Sequence, residues 1–300
     1  MKYLILILLF LGSHAVRLCG QTILPTPDYL EKANGQLQLQ GKIRMHTQDA
    51  SASFLHLFYE KLIPKSAVEW CSEKGHSQIS WEKDATLPAE GYRILVTPEK
   101  MTVRAADNAG FIYAVQSLRQ WGTREGDKLI FPCAEITDFP RVKWRSFMLD
   151  SGRQYQKVST IKKYIDMASM LKMNYFHWHL TEGLGWRIEI KRYPLLTRIG
   201  AFVGQGPEQQ GFYSQEEVKE IVSYAADLGI TVVPEIDMPG HAEAALNSYP
   251  RLGCFNIPVK VPQSGFTQNI FCAGKDSTLT FLQNVLDEVC RMFPSAYIHL

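Results

Sequence analysis

The sequence has little charge of either sign to spare. Among 300 residues, lysine plus arginine exceeds aspartate plus glutamate by only two. It also lacks any basic run interleaved with aromatics, so nucleic acid is not an expected partner. No repeat recurs and no segment has the composition of disorder. After the first residues no apolar run is long enough to cross a bilayer as a helix. Cysteine is sparse, and Cys71, Cys133 and Cys290 fall in no metal-ligand spacing, so they are expected to be buried free thiols. What remains is an ordinary globular composition, in a chain long enough for two domains.

The amino terminus departs from that background. Met1 and Lys2 give a positive start, Leu4 to Leu11 an apolar block, and Ser13-His14-Ala15 a small-x-small cleavage pattern. Residues 1–20 therefore read as a secretory signal peptide, and the protein as exported: periplasmic, cell-surface or secreted. Cys19 is a candidate lipid anchor, although Leu18 before it is bulky where lipoprotein signals need a small residue. In an exported chain Cys254 and Cys272, which flank a short excursion, are candidates for a disulfide.

Two rhythms follow. Residues 21–140 read as an α+β unit. In it Tyr92–Thr97 and Met101–Ala105 alternate around Pro98-Glu99-Lys100 as a hairpin, and a helix follows over Asn108–Trp121 with Phe111, Ile112, Val115 and Leu118 along one face. Prolines at 132 and 140 mark a boundary. Residues 141–300 alternate strand and helix. The strands are expected at Trp144–Asp150, Tyr175–Leu180, Ile230–Asp237 and Ala296–Leu300. The helices are expected at Lys157–Lys172, with Val158, Ile161, Ile165, Ala168 and Leu171 on one face, and at Ser214–Leu228, with a Ser214/Glu217 capping box and Gly229 as terminator. A last helix is capped by Asp276 and bears Leu279, Leu282, Val285, Val289 and Met292. Such alternation in one sheet implies right-handed parallel crossovers, hence a doubly wound sheet or a (β/α)8 barrel. Only four strands fit into about 160 residues here, where a complete barrel takes roughly 250, so the expectation is an incomplete barrel and a fragment of a longer protein.

Polar residues cluster where the apolar strands end: Asp150 and Arg153 after the first, Glu182 after the second, Asp237 and His241 after the third, with Glu235 two residues before Asp237 and on its side. Acids, one arginine and one histidine at one rim suit acid–base work on a neutral polar substrate, with the arginine gripping hydroxyls or a carboxylate. Asp150 and Glu235 read equally well as partners of neighbouring cations. His177 and His179 point the same way and form a His-x-His pair, which keeps a metal-dependent barrel hydrolase open as an alternative. Trp178 and Leu180 face the helices, and Trp186 and Arg187 read as packing and pairing residues.

Three stretches in register, Arg145–Arg153 (RSFMLDSGR), His177–Thr197 (HWHLTEGLGWRIEIKRYPLLT) and Pro234–Leu246 (PEIDMPGHAEAAL), closely resemble the glycoside hydrolase family 20 β-N-acetylhexosaminidases. The stretch from Tyr92 to Gln120 resembles the α+β domain that precedes their barrel. The resemblance implies an incomplete (β/α)8 barrel behind an α+β domain. It also implies hydrolysis of terminal β-linked N-acetylglucosamine or N-acetylgalactosamine on glycans, with no cofactor and no metal. In that family the substrate's acetamido oxygen, rather than a second carboxylate, attacks the anomeric carbon while a glutamic acid protonates the leaving oxygen. Arg153 matches the arginine that holds the sugar hydroxyls, Glu182, Asp237 and His241 match the polar shell beneath the acid, and Asp150 is expected to support them. The chain departs from the pattern in having Glu182-Gly183-Leu184 where the family often has Asp-Asp-Gln, so Glu182 must reach His241 with one more methylene. The catalytic Asp-Glu pair is expected just after Leu300, which leaves no catalytic residue within these 300 and the fragment inactive by itself. A non-catalytic sugar-binding homologue is the other alternative.

Overall fold

The computed structural model describes residues 22–49, 52–204, 206–207, 210–261 and 269–300. The signal peptide and Cys19 lie outside the described residues.

The first unit runs β1 (Tyr29–Leu39), β2 (Ile43–Thr47), α1 (Phe54–Lys61), β3 (Val68–Trp70), β4 (Ile79–Lys83), β5 (Tyr92–Val96), β6 (Met101–Ala105), α2 (Asn108–Trp121), β7 (Thr123–Glu125) and β8 (Lys128–Asp138). Its strands form one sheet in the order β1-β8-β5-β6-β4-β2-β3, with β7 against β8. The β5/β6 hairpin is antiparallel, and Tyr92, Ile94 and Val96 are buried opposite Ala105, Val103 and Met101. That is the period-two alternation of a strand with one face in a core. Helix α2 packs on this hairpin and against α1. The Asp107 side chain caps it by accepting the Gly110 amide at 2.9 Å. Glycine is required at 110 because a Cβ there would stand 2.4 Å from the Gly91 carbonyl oxygen.

The second unit runs β9 (Ser146–Asp150), α3 (Val158–Met170), β10 (Tyr175–His179), β11 (Thr181–Glu182), β12 (Gly185–Trp186), α4 (Leu195–Arg198), α5 (Gln215–Asp227), β13 (Thr231–Glu235), α6 (Glu243–Ser248) and α7 (Asp276–Met292). Strands β13, β10 and β9 lie side by side, all parallel. In this register Asp150, His179 and Glu235 are level with one another at the carboxyl ends. The Ser214/Glu217 capping box of α5 is formed, and Gly229, at φ +75°, follows the helix.

Five expectations are corrected. Asp276 does not cap α7: it is the first helical residue, and Lys275 precedes it with no side-chain cap. The buried stripe of α7 is Thr278, Phe281, Val285, Val289 and Met292, which leaves Leu279 exposed about 100° round the helix. Leu171, assigned to the buried face of α3, is the exposed residue after its last turn. The fourth strand is reduced to a single parallel bridge, Glu235 to His299, secured by Ile236 N–H on the His299 carbonyl and His299 N–H on the Pro234 carbonyl, each at 2.9 Å. Of the free thiols only Cys133 is buried; Cys71 is half-buried and Cys290 is exposed on α7. Cys254 and Cys272 are joined by a disulfide.

The two units are tied together by buried and half-buried polar contacts. Lys172 ion-pairs with Asp138 at 2.7 Å and donates to the Tyr92 hydroxyl at 2.8 Å. Arg145, one residue before β9, pairs with Glu90 at 2.5 Å and donates to the Tyr113 hydroxyl at 2.9 Å. Gln116 of α2 donates to the Ser169 hydroxyl of α3 at 2.6 Å, and that hydroxyl donates to the Leu228 carbonyl at 2.9 Å.

Candidate functional site

The turn after β9 places Arg153 back over the end of its own strand. Its amide and its Nη1 donate to the two oxygens of Asp150, at 2.9 and 2.5 Å. Its Nη2 reaches Glu182 Oε1 at 2.7 Å, at the tip of the β11/β12 hairpin. A guanidinium has five N–H donors in a fixed plane, so two carboxylates on one edge orient it and leave donors for a ligand. The Arg153 side chain remains 40% exposed while Glu182 is fully buried, so the free donors face outward from a rigid base. Burial would lower the Arg153 pKa, but its hydrogen bond to Asp150 and the charge of Glu182 raise it.

Glu182 holds a second cation-forming group. Its Oε1 lies 2.5 Å from His241 Nδ1, and its Oε2 accepts the Leu184 amide at 3.1 Å. The longer side chain therefore does reach the histidine. Gly152 makes room for it, since a Cβ there would stand 2.8 Å from Glu182 Cβ. His241 sits at φ +50° without being glycine, a sparsely populated conformation that recurs at functional sites.

Beneath this lies a second cluster that the sequence did not rank. His179 Nε2 lies 2.8 Å from the Thr181 carbonyl and 2.9 Å from Asp237 Oδ2, and its Nδ1 lies 3.4 Å from Asp150 Oδ1. The polar atoms nearest the ring are all acceptors, which favours the protonated form, although Nδ1 makes no hydrogen bond and has the Asp150 carboxylate only as a charged neighbour. Burial would lower its pKa, but the hydrogen bond to Asp237 and the charges of Asp150, Asp237 and Glu235 raise it to about 9. Asp237, whose own burial opposes ionisation, is held below the usual carboxylate range by the hydrogen bond and charge of His179. The Asp237 amide donates to Thr181 Oγ1 at 2.9 Å, fixing the end of β13 to the β10–β11 corner.

The His-x-His pair divides between neighbours. His177 Nε2 lies 2.5 Å from Glu235 Oε2, and Glu235 Oε1 lies 3.4 Å from His299 Nδ1, whereas His179 turns to Asp237. Trp178 and Leu180 are fully buried on the opposite side of the strand. The structure thus brings Asp150, Arg153, Glu182 and His241 into one chain of contacts, and joins Asp237 to it through His179. Sequence reasoning missed His179 as the hub and Thr181 as its acceptor. The signal was present, because a polar residue on the inward side of a strand end needs partners, and acids stand level with it on both flanking strands.

Comparison with known proteins identifies the family. Residues 20–139 match the glycosyl hydrolase family 20 domain 2 model, and residues 142–300 match the catalytic domain model of the same family. A beta-hexosaminidase of Porphyromonas gingivalis is 38% identical over 299 residues, covering 94% of this chain and 38% of the relative. The crystal structure of a beta-N-acetylhexosaminidase from Bacteroides fragilis is 79% identical, with a TM-score of 0.89 over 94% of this chain and 56% of that one. A mutant Streptomyces plicatus beta-hexosaminidase in complex with product (GlcNAc) is 31% identical, with a TM-score of 0.83 over 93% of this chain and 58% of that one. The chain therefore spans about two-fifths of the curated relative and somewhat over half of the solved chains. With both models matched in order and the parallel strands forming part of a (β/α)8 barrel, the chain belongs to glycosyl hydrolase family 20.

Proposed function

We propose that these residues are the amino-terminal part of an exported β-N-acetylhexosaminidase, in which they hold the terminal sugar of a glycan while the bond to it is cleaved. The observation that carries this reading is the clamp on Arg153. Two carboxylates fix a guanidinium at the carboxyl ends of parallel strands with donors turned outward, and neighbouring hydroxyls of a pyranose are suited to such a planar donor set. The names of the relatives, and the product GlcNAc in the Streptomyces plicatus complex, support N-acetylhexosamine as the sugar. In this reading Arg153 binds the ring hydroxyls. Glu182 holds both Arg153 and His241, so that His241 presents its other nitrogen to the reaction centre. Asp237 and His179 keep the strand ends together. The reaction itself is retaining hydrolysis assisted by the substrate's acetamido group, with the general acid and its partner supplied after Leu300.

The test is hydrolysis of a nitrophenyl β-N-acetylglucosaminide. The longer protein turns it over, and Arg153→Ala in it raises KM. Purified 1–300 shows no turnover, because absence of a general acid costs about two to four orders of magnitude and an unclosed barrel adds to that. Turnover by 1–300 would refute the placement of the acid, and an inactive longer protein that still binds N-acetylglucosamine would make it a sugar-binding homologue.

A further inference from the structure

Arg187 follows β12 and is fully buried, yet among the described residues none of its hydrogen-bond partners is an acid. Instead its guanidinium donates to five carbonyl oxygens. Nε donates to Ser151 at 3.0 Å and Gly152 at 3.2 Å. Nη1 donates to Ala201 at 2.8 Å and Gly211 at 3.2 Å, and Nη2 to Gly152 at 3.0 Å and Leu184 at 3.4 Å. All of its nitrogens are thus engaged, in the plane that only arginine supplies. Burial pulls its pKa down to about 10, partly offset by Tyr213 and by the charge of Asp150, which leaves it charged at neutral pH.

Three of the five carbonyls lie in two turns of the candidate site, while Ala201 and Gly211 tie the same guanidinium to the segment between α4 and α5. Ser151 and Gly152 form the turn that presents Arg153, and Leu184 lies in the turn of the hairpin that presents Glu182. The two halves of the 2.7 Å Arg153–Glu182 pair are therefore hung from one buried guanidinium. The hairpin is built round it: a Cβ at Gly185 would fall 2.0 Å from Arg187 Cζ. We infer that Arg187 is a positioning residue for sugar binding, which sets Arg153 and Glu182 against each other by fixing the turns that carry them.

This rests on the proposed role of Arg153, and the experiment separates the two. In the full-length enzyme, kcat and KM for a nitrophenyl β-N-acetylglucosaminide are measured for R187K, R153A and the double variant. Lysine keeps the charge but cannot hold five carbonyls in one plane. Displacement of the turns is expected to raise KM about tenfold, with kcat changed less than about threefold. Because Arg187 acts through Arg153, the double variant is expected to match R153A alone to within about twofold. Effects that multiply, or an unchanged KM in R187K, would overturn the inference. Loss of the folded state in R187K, followed by circular dichroism, would also overturn it and assign the residue to folding alone. An unchanged KM in R153A would instead refute the role given to Arg153. The clamp itself is read independently in the unmodified protein by nuclear magnetic resonance. The Arg187 Nε proton is expected to exchange with solvent about a hundredfold more slowly than that of Arg153, and comparable rates would refute the clamp.

Discussion

The buried imidazolium of His179 predicts how stability depends on pH. Its pKa rises from 6.5 to about 9 on folding, which amounts to at most about 3.5 kcal/mol, since each pH unit is worth about 1.4 kcal/mol. The folded state binds this proton more tightly than the unfolded state does. The stabilisation is therefore complete below about pH 6.5 and disappears as pH rises through about 9. At pH 7.5 roughly 2 kcal/mol should remain. Other groups titrate in the same range, so the measurement is a comparison. Urea unfolding of the protein and of His179→Asn is followed by tryptophan fluorescence at pH 6, 7.5, 9 and 10. The variant is less stable throughout, having lost packing as well as charge, but the gap between the two should narrow by about 3 kcal/mol from pH 6 to pH 10. Parallel curves would show that His179 carries no extra proton in the folded state, and the account of its three acceptors would fail.

Other perturbations follow from the same contacts. Arg153→Ala leaves the fully buried Glu182 with His241 as its only cationic partner and should cost about 3–5 kcal/mol in urea unfolding, whereas Glu182→Gln leaves two partly exposed cations that water can solvate and should cost less than half as much; equal losses would contradict the burial asymmetry. Gly185→Ala drives a methyl into the Arg187 guanidinium and should lower stability by about 1–3 kcal/mol or more, read as a fall in the urea midpoint at unchanged slope. Reducing the Cys254–Cys272 disulfide, which spans 18 residues, should cost about 3 kcal/mol in denaturant unfolding with and without dithiothreitol, and Cys254→Ser should then be insensitive to the reductant.

Local chemistry was legible in the sequence where the physics is local. The Ser214/Glu217 box, the β5/β6 hairpin and the span of α2 each depend on neighbours within a few residues, and they stand where periodicity and capping put them. The sequence alone did less well where the outcome depends on what lies opposite. Leu279 is as apolar as Phe281, and only what lies opposite decides which is buried: Phe281 packs among the rings of Trp186, Tyr193, Tyr249 and Phe271. Asp276 has the chemistry of a cap but lies one residue inside the helix. The acids of the candidate site were identifiable by their place at strand ends. Their pairing was not, because it comes from the register that sets Asp150, His179 and Glu235 level across three strands. Arg187 was the hardest to read. A buried arginine ordinarily pairs with an acid, and carbonyl oxygens leave no trace in side-chain identity.

The fastening of α3 and β9 to the α+β unit bears on the order in which the chain takes shape. Synthesis delivers the eight-stranded sheet first, and units generally fold as they emerge. By that principle Glu90, Tyr113, Gln116 and Asp138, which contact Arg145, Ser169 and Lys172 in the folded protein, are expected to be in place first. A parallel strand cannot find its neighbour without a long crossover, and closing that loop is slow and costly in entropy. With β9 and α3 anchored on a preformed wall, β10 docks against an immobilised edge rather than a wandering one. On this order of events the amino-terminal unit would serve as a scaffold for assembling the barrel, a task that needs no catalytic residue of its own.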